Sequence, residues 1–267
     1  MVDERGRVQR ALSRAFGALV GAVPGGTYEE RGAYAVARCR SIPIPGANGV
    51  TDHGIDEAAV LRDLDVAFAP ILADGSTPWL VTFADRSARL QAAARGLGFE
   101  PDHENAGMLV TADAFRPRAD VRASVEEARD DATLASANRL FAAGFGEPED
   151  LLAPLYRRAT LDRIAMRVWL VLAGDEPVST AIGWHGDDAL GVFAVATPAR
   201  FRGRGYAGLA TSAAVVAGFE DGAAFAFLQS SALGEPVYRR LGFRQVSTYR
   251  FLTRRAAVGP LHARPGR

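Results

Sequence analysis

The 267-residue chain has a single cysteine, so no internal disulfide can form, and Cys39 is expected to be a small buried hydrophobe. A reducing, cytoplasmic setting fits that usage. There is no excess of charge: Lys+Arg and Asp+Glu balance at 31 each. A global field that would draw in nucleic acid is therefore excluded, and any basic patch must be local. Long uncharged apolar runs are missing, so neither a membrane span nor a signal peptide is expected. The histidines His53, His103, His185 and His262 stand apart, with no Cys/His cluster and no H-E-x-x-H spacing, so no metal site is expected. No Gly-x-Ser-x-Gly elbow is present for a serine hydrolase, and no Gly-Lys-Ser/Thr follows a glycine loop as in a Walker ATPase.

What is present is a glycine-rich turn between an apolar, partly β-branched run, Leu190 to Ala196, and an alanine-rich run, Leu209 to Phe219. The first reads as a buried strand and the second as a helix. Glycine lets the backbone approach a ligand and adopt positive φ. Amides of the turn and of the first helical turn lack intrahelical partners, and the helix dipole favours negative charge there. Two phosphates could therefore rest on peptide nitrogens, with Arg200, Arg202 and Arg204 at the rim. The turn is read as a phosphate loop of another kind than the dinucleotide fingerprint.

Arg202-Gly-Arg-Gly-Tyr-Ala207 fits Arg-x-x-Gly-x-Gly/Ala. After a strand ending Val195-Ala-Thr-Pro198, it closely resembles the acyl-coenzyme A loop of the GCN5-related N-acetyltransferases. Downstream, Ser231-Ala-Leu-Gly-Glu-Pro-Val-Tyr238, followed by Gly242-Phe243, resembles that family's Asn-x-x-Ala-x-x-x-Tyr segment. Ser231 stands for the asparagine and Gly234 for the alanine. The order of elements from Val121 to Thr253, β-α-α-β-β-β-α-β-α-β, is that of the acetyltransferase fold.

The resemblance implies an α/β (α+β) fold with a central mixed, mostly antiparallel sheet flanked by helices. It implies acetyl-CoA as cosubstrate and an amine as acceptor, expected to be small because the first half of the chain should enclose the cleft; homodimer formation is left open. The cofactor would be held by Val195, Ala196, Thr197, Arg202, Gly203, Arg204, Gly205, Tyr206, Ala207, Gly208 and Ser231. The Val195 amide would polarise the thioester carbonyl, and Tyr238 would give a proton to the leaving sulfur. The general base is not readable. Glu147, Asp150 and His185 are candidates for the acceptor side, against solvated loop residues and a structural histidine as the plainer readings.

An offset of 144 residues lays Trp79 to Asp85 on Ala223 to Gln229, and Leu97-Gly-Phe99 on Leu241-Gly-Phe243. This suggests two tandem units, residues 1–115 and 120–255, joined by a proline-bearing linker. The same offset puts Tyr238 opposite Ala94, and Arg202 to Ala207 opposite Ala58 to Asp63, which has no glycine. The first unit is thus expected to have lost cofactor binding and to shape the substrate cleft. Helices are expected at Val8 to Val23, Ile55 to Leu72, Ser87 to Leu97 and Asp150 to Ile164. Ser41 to Val50 is expected to be loop.

Overall fold

The computed structural model describes residues 3–42, 45–86 and 88–254. In chain order the elements are α1 (Glu4–Ala22), β1 (Gly26–Glu30), β2 (Tyr34–Cys39), β3 (Gly49–Asp52), α2 (Glu57–Ala73), β4 (Trp79–Phe83), α3 (Ala88–Gly96) and β5 (Glu100–Thr111). They continue with β6 (Ser124–Glu127), α4 (Asp131–Phe145), α5 (Glu149–Leu152), α6 (Arg158–Leu161), β7 (Met166–Ala173), β8 (Glu176–Gly186) and β9 (Ala189–Ala196). The last are α7 (Tyr206–Glu220), β10 (Phe225–Ser230), α8 (Glu235–Arg240) and β11 (Arg244–Thr253).

Among the described residues, eleven strands join one sheet, in the order β1-β2-β3-β4-β11-β5-β10-β9-β8-β7-β6. Pairing is antiparallel except for β3 with β4 and β9 with β10. Each parallel pair is bridged by a crossover helix, α2 in one case and α7 in the other. At the centre, β11 lies between β4 and β5, and β5 lies between β11 and β10. The last strand of the chain thus enters the N-terminal half of the sheet, and the last strand of the N-terminal half enters the C-terminal one. The 144-residue offset carries the first residue of β5 onto the first of β11, and the last of β3 onto the last of β9.

Local sequence explains most boundaries. Asp130 caps α4 by accepting from the Thr133 amide, and Thr133 returns a bond to the Asp130 amide. Asn48 is fully buried; its amide side chain accepts from Cys39 N and donates to the carbonyls of Cys39 and Ile42. Asn-Gly signals a turn, or a polar side chain aimed into a cleft; this buried side chain is neither solvated nor in a cleft. Cys39 is buried, as its type suggests.

Several expectations need correction. The segment read as one helix over 150–164 is two single turns, α5 and α6; Pro154 lies between them and cannot continue a helix. The loop read over 41–50 ends in a strand, because Gly49 and Val50 pair with both β2 and β4. Ser87, read as the start of a helix, lies outside the described residues, as does the tail from residue 255.

The two faces of the sheet carry separate cores. On one, α1 and α4 bring Leu12, Ala15, Leu134 and Ala137 against Phe225, Phe227 and Ile182. On the other, α7 and α8 bring Val215 and Tyr238 against Leu190, Val192 and Leu228. At the end of the β3/β4 pair, the Asp52 carboxylate is fully buried. It accepts from the Gly54 amide at 2.7 Å, Thr82 Oγ1 at 2.7 Å, and Arg86 Nε and Nη2 at 2.8 and 2.9 Å. Replacing Arg86 by methionine would leave a buried charge without its partner. The expected loss is about 3–5 kcal/mol of unfolding free energy, read from urea denaturation.

Candidate active site

Parallel pairing of β9 with β10 runs from Ala189↔Phe225 to Val192↔Leu228 and stops there. Both strands go on, β9 to Ala196 and β10 to Ser230, so beyond Val192 they diverge without a ladder between them. On its other side β9 pairs with β8, and that register slips. Phe193 faces Ile182 and Ala196 faces Thr180, so two residues of β9, Ala194 and Val195, stand opposite Ala181 alone. This is a β-bulge. Ala194 sits at φ 50°, a left-handed conformation rare for a residue with a Cβ. The extra residue re-aims the strand. Phe193 and Ala194 both pack towards the α1 face, and Val195 returns to the α7 face. The ladder is broken beside the gap, where a peptide amide can be turned to a ligand.

From the end of β9 the chain passes through a single turn at Ala199–Phe201 into Gly203 and Gly205, at φ 77° and 86°, and then into α7. Gly205 caps the helix in the left-handed conformation, with no side-chain cap. Among the described residues, no amide from Gly203 to Gly208 donates to a protein acceptor. The Arg118 side chain lies along this turn, as a Cβ on Gly205 would stand 2.8 Å from its Nε. On Gly208 a Cβ would stand 3.2 Å from its Cδ. The backbone amide of Arg118 donates to Ser212 Oγ at 2.9 Å, and its guanidinium pairs with Asp120. Arg118 was hidden in sequence, since it falls in what reads as a linker. The rim arginines divide their roles. Arg202 donates to the Thr197 and Gly144 carbonyls, tying the loop to the end of α4. Arg200 faces Glu176 at 3.5 Å. Arg204 is exposed.

Across the gap, Tyr238 is buried on α8 in the core that also holds Val192 and Leu228, with Val195 packed against it. Its hydroxyl makes no hydrogen bond among the described residues, and burial pushes the phenol above its ordinary pKa of about 10. Gly234 makes room for the ring: a Cβ there would lie 3.0 Å from Tyr238 Cε2. That is a physical reason for glycine where the resembling segment has alanine. Ser231 is exposed and shapes the turn; its carbonyl accepts from the amides of Gly234 and Glu235.

No protein-family model matches the chain, and no curated protein matches it by sequence. Among solved structures, a GCN5-related N-acetyltransferase from Kribbella flavida aligns over 95% of this chain and 96% of its own, with TM-score 0.72 and 18% identity. This chain has the GCN5-related N-acetyltransferase fold. A GCN5-related N-acetyltransferase from Sphaerobacter thermophilus covers 83% of this chain and 76% of its own, at TM-score 0.61 and 15% identity. A tandem GNAT protein from the clavulanic acid biosynthesis pathway covers 89% and 86%, at TM-score 0.56 and 12% identity.

The fold also corrects the reading of the loop. Gly203, Gly205 and Gly208 do meet the bare spacing G-x-G-x-x-G, so spacing alone does not set a dinucleotide site aside. The sheet does. A dinucleotide fold needs a run of parallel strands, whereas β9 and β10 are each antiparallel to their outer neighbours, β8 and β5.

The acceptor-side candidates do not converge. His185 pairs with Leu190, near the hairpin turn and away from the bulge. Ala194 lies four residues along the strand from Leu190, roughly 13 Å at about 3.3 Å per residue. Glu147 and Asp150 are exposed after α4, and the Glu147 amide donates to the Ala142 carbonyl. The turn carboxylates Asp187 and Asp188 pair with Arg14 and Arg7 and so pin α1 on the hairpin. Among the described residues, no group of three or more His, Cys, Asp or Glu side chains could hold a metal ion. No helix among them is long and apolar enough to cross a membrane.

Proposed function

We propose that the chain is an acyl-CoA-dependent N-acyltransferase that moves an acetyl group to a primary amine within a ternary complex. The observation that carries this is the Ala194 bulge, set where β9 leaves β10 and directly ahead of a loop of unpartnered amides. The donor thioester supplies an activated acyl group. The amides from Gly203 to Gly208 would bind its pyrophosphate, with Arg118 and Arg204 adding positive charge. Val195, Ala196 and Thr197 would line the open edge of β9 for the pantetheine arm. The Val195 amide would hold the carbonyl oxygen as negative charge grows on it. Tyr238, still protonated at neutral pH, would pass its proton to sulfur as the C–S bond breaks and the N–C bond forms. The amine proton leaves to water or to a base that no residue beside the bulge identifies.

Two tandem units account for the sheet, with residues 1–115 as the unit that no longer binds cofactor and 120–255 as the catalytic one. The support is the matched parallel pairs. In the second the gap beyond the pair stays open; in the first it is closed by the Asp52–Arg86 ion pair and Thr82.

A second reading is a non-catalytic acyl-CoA sensor, favoured by the lack of a carboxylate on β9. Titration calorimetry with coenzyme A, paired with thiol release over a panel of amines, separates the two. The enzyme binds and turns over at least one amine; the sensor binds and turns over none; absence of binding ends both. The chain contains no lysine, so its α-amino group is its only internal amine acceptor in such an assay.

A further inference from the structure

On the α1 side of the bulge lies a cavity of about 190 Å³. Ala194 itself lines it, so the cavity meets the point where the carbonyl would be held. The other walls come from both halves of the chain: Phe16 and Leu19 of α1, Ile42, Phe141 of α4, and Phe193. Among the described residues, no Asp, Glu, Arg or His side chain lines it. Among the lining side chains, Cys39, Met166 and Tyr156 carry a heteroatom, and the Cys39 sulfur contacts Ser41 Oγ at 3.3 Å. Tyr156 is buried, and among the described residues its hydroxyl has no hydrogen-bond partner. The hydroxyl is sealed from the cavity, which therefore presents an almost wholly apolar wall.

We infer that this cavity takes an uncharged aromatic or aliphatic group carried next to the reacting carbonyl. The inference rests on the acyltransferase reading and deepens it. An apolar cavity of about 150 Å³ stays dry and accepts benzene, so this one holds one ring or an aliphatic group of similar size. A polyamine or amino sugar would lose its hydration there and gain no partner. The group belongs either to the body of the amine or to an acyl chain longer than acetyl.

Thiol release decides the source. With acetyl-CoA, benzylamine, 4-methoxybenzylamine and hexylamine are compared with spermidine and glucosamine. With the best amine, hexanoyl-CoA is compared with acetyl-CoA. The expected result is an advantage in kcat/KM of about tenfold or more, for the apolar amines if the acceptor fills the cavity or for hexanoyl-CoA if the acyl chain does. Leu19→Trp narrows the cavity and should erase that advantage. Leu19→Phe, a smaller insertion into the same cavity, should lower it by a few-fold and carries the test should the tryptophan variant melt early. A readout without coenzyme A keeps the two ideas apart: benzyl alcohol should raise the melting temperature of the wild type and not of Leu19→Trp. Such a shift in a protein that binds no coenzyme A upholds the cavity and ends the acyltransferase reading. Turnover with neither an apolar preference nor a melting shift overturns the inference.

Discussion

Replacing Tyr238 by phenylalanine should lower kcat for acetyl transfer by about 10²- to 10⁴-fold, the usual worth of a positioned general acid. The substitution removes one oxygen from a ring held in the α8 core against Phe243 and over Gly234, so the fold has little reason to change. Coenzyme A affinity by calorimetry should stay within a few-fold of wild type, while thiol release falls at every pH. The pH profile gives a second check. Burial holds the Tyr238 phenol above its ordinary pKa. The proton is therefore in place below pH of about 10, and the wild-type rate should show no alkaline fall from this group before that point. Wild-type turnover in the phenylalanine variant would remove Tyr238 from the chemistry.

Gly205→Val should cost at least about 100-fold in coenzyme A affinity, and comparison with Gly203→Ala shows why. Both glycines are left-handed, at φ 86° and 77°. A side chain there carries a strain of about 1–2 kcal/mol, or roughly tenfold, from the backbone alone. At Gly203 nothing lies within 4 Å of an added Cβ, so Gly203→Ala should show that factor and little more. At Gly205 the Cβ would meet Arg118 at 2.8 Å and Val121 at 2.9 Å. The turn must then move, and the amides it presents move with it. Calorimetry reads both variants, with circular dichroism to show that each remains folded. Equal affinities for the two would mean that the amides of this corner do not hold the ligand.

Much of this corner was legible because it depends on residues near one another in sequence. Glycines at 203, 205 and 208 between an apolar run and an alanine-rich run announce a strand, a turn and a helix, and the tyrosine lies on the next helix. The bulge was legible only through resemblance. Phe193-Ala-Val195 is an ordinary strand sequence, and the slip arises from pairing with β8, a tertiary effect. Arg118 and Tyr156 escaped notice for a related reason. One falls in a linker and the other in a stretch read as helix, and each gains meaning only from what packs beside it. Asn48 shows the reverse: Asn-Gly is a turn signal, and burial of the side chain overrides it. The echo between Trp79 and Phe99 in one half and Ala223 and Phe243 in the other could be read from sequence. The reciprocal insertion of β5 and β11 could not, because no local pattern names a strand's neighbour.

That insertion sets an order of events during synthesis. Both neighbours of β5 are made long after it, since β10 starts at Phe225 and β11 ends at Thr253. At about 5–20 residues per second, the nascent strand waits on the order of ten seconds with both edges bare. Such an edge invites pairing with other chains, and charge is a common guard. Glu100, Asp102 and Glu104 supply it along the first half of β5, the part that stays exposed in the finished sheet. A chain stopped after β5 would keep that bare strand indefinitely, so ribosome stalling between β5 and β10 should yield aggregates rather than a folded N-terminal part.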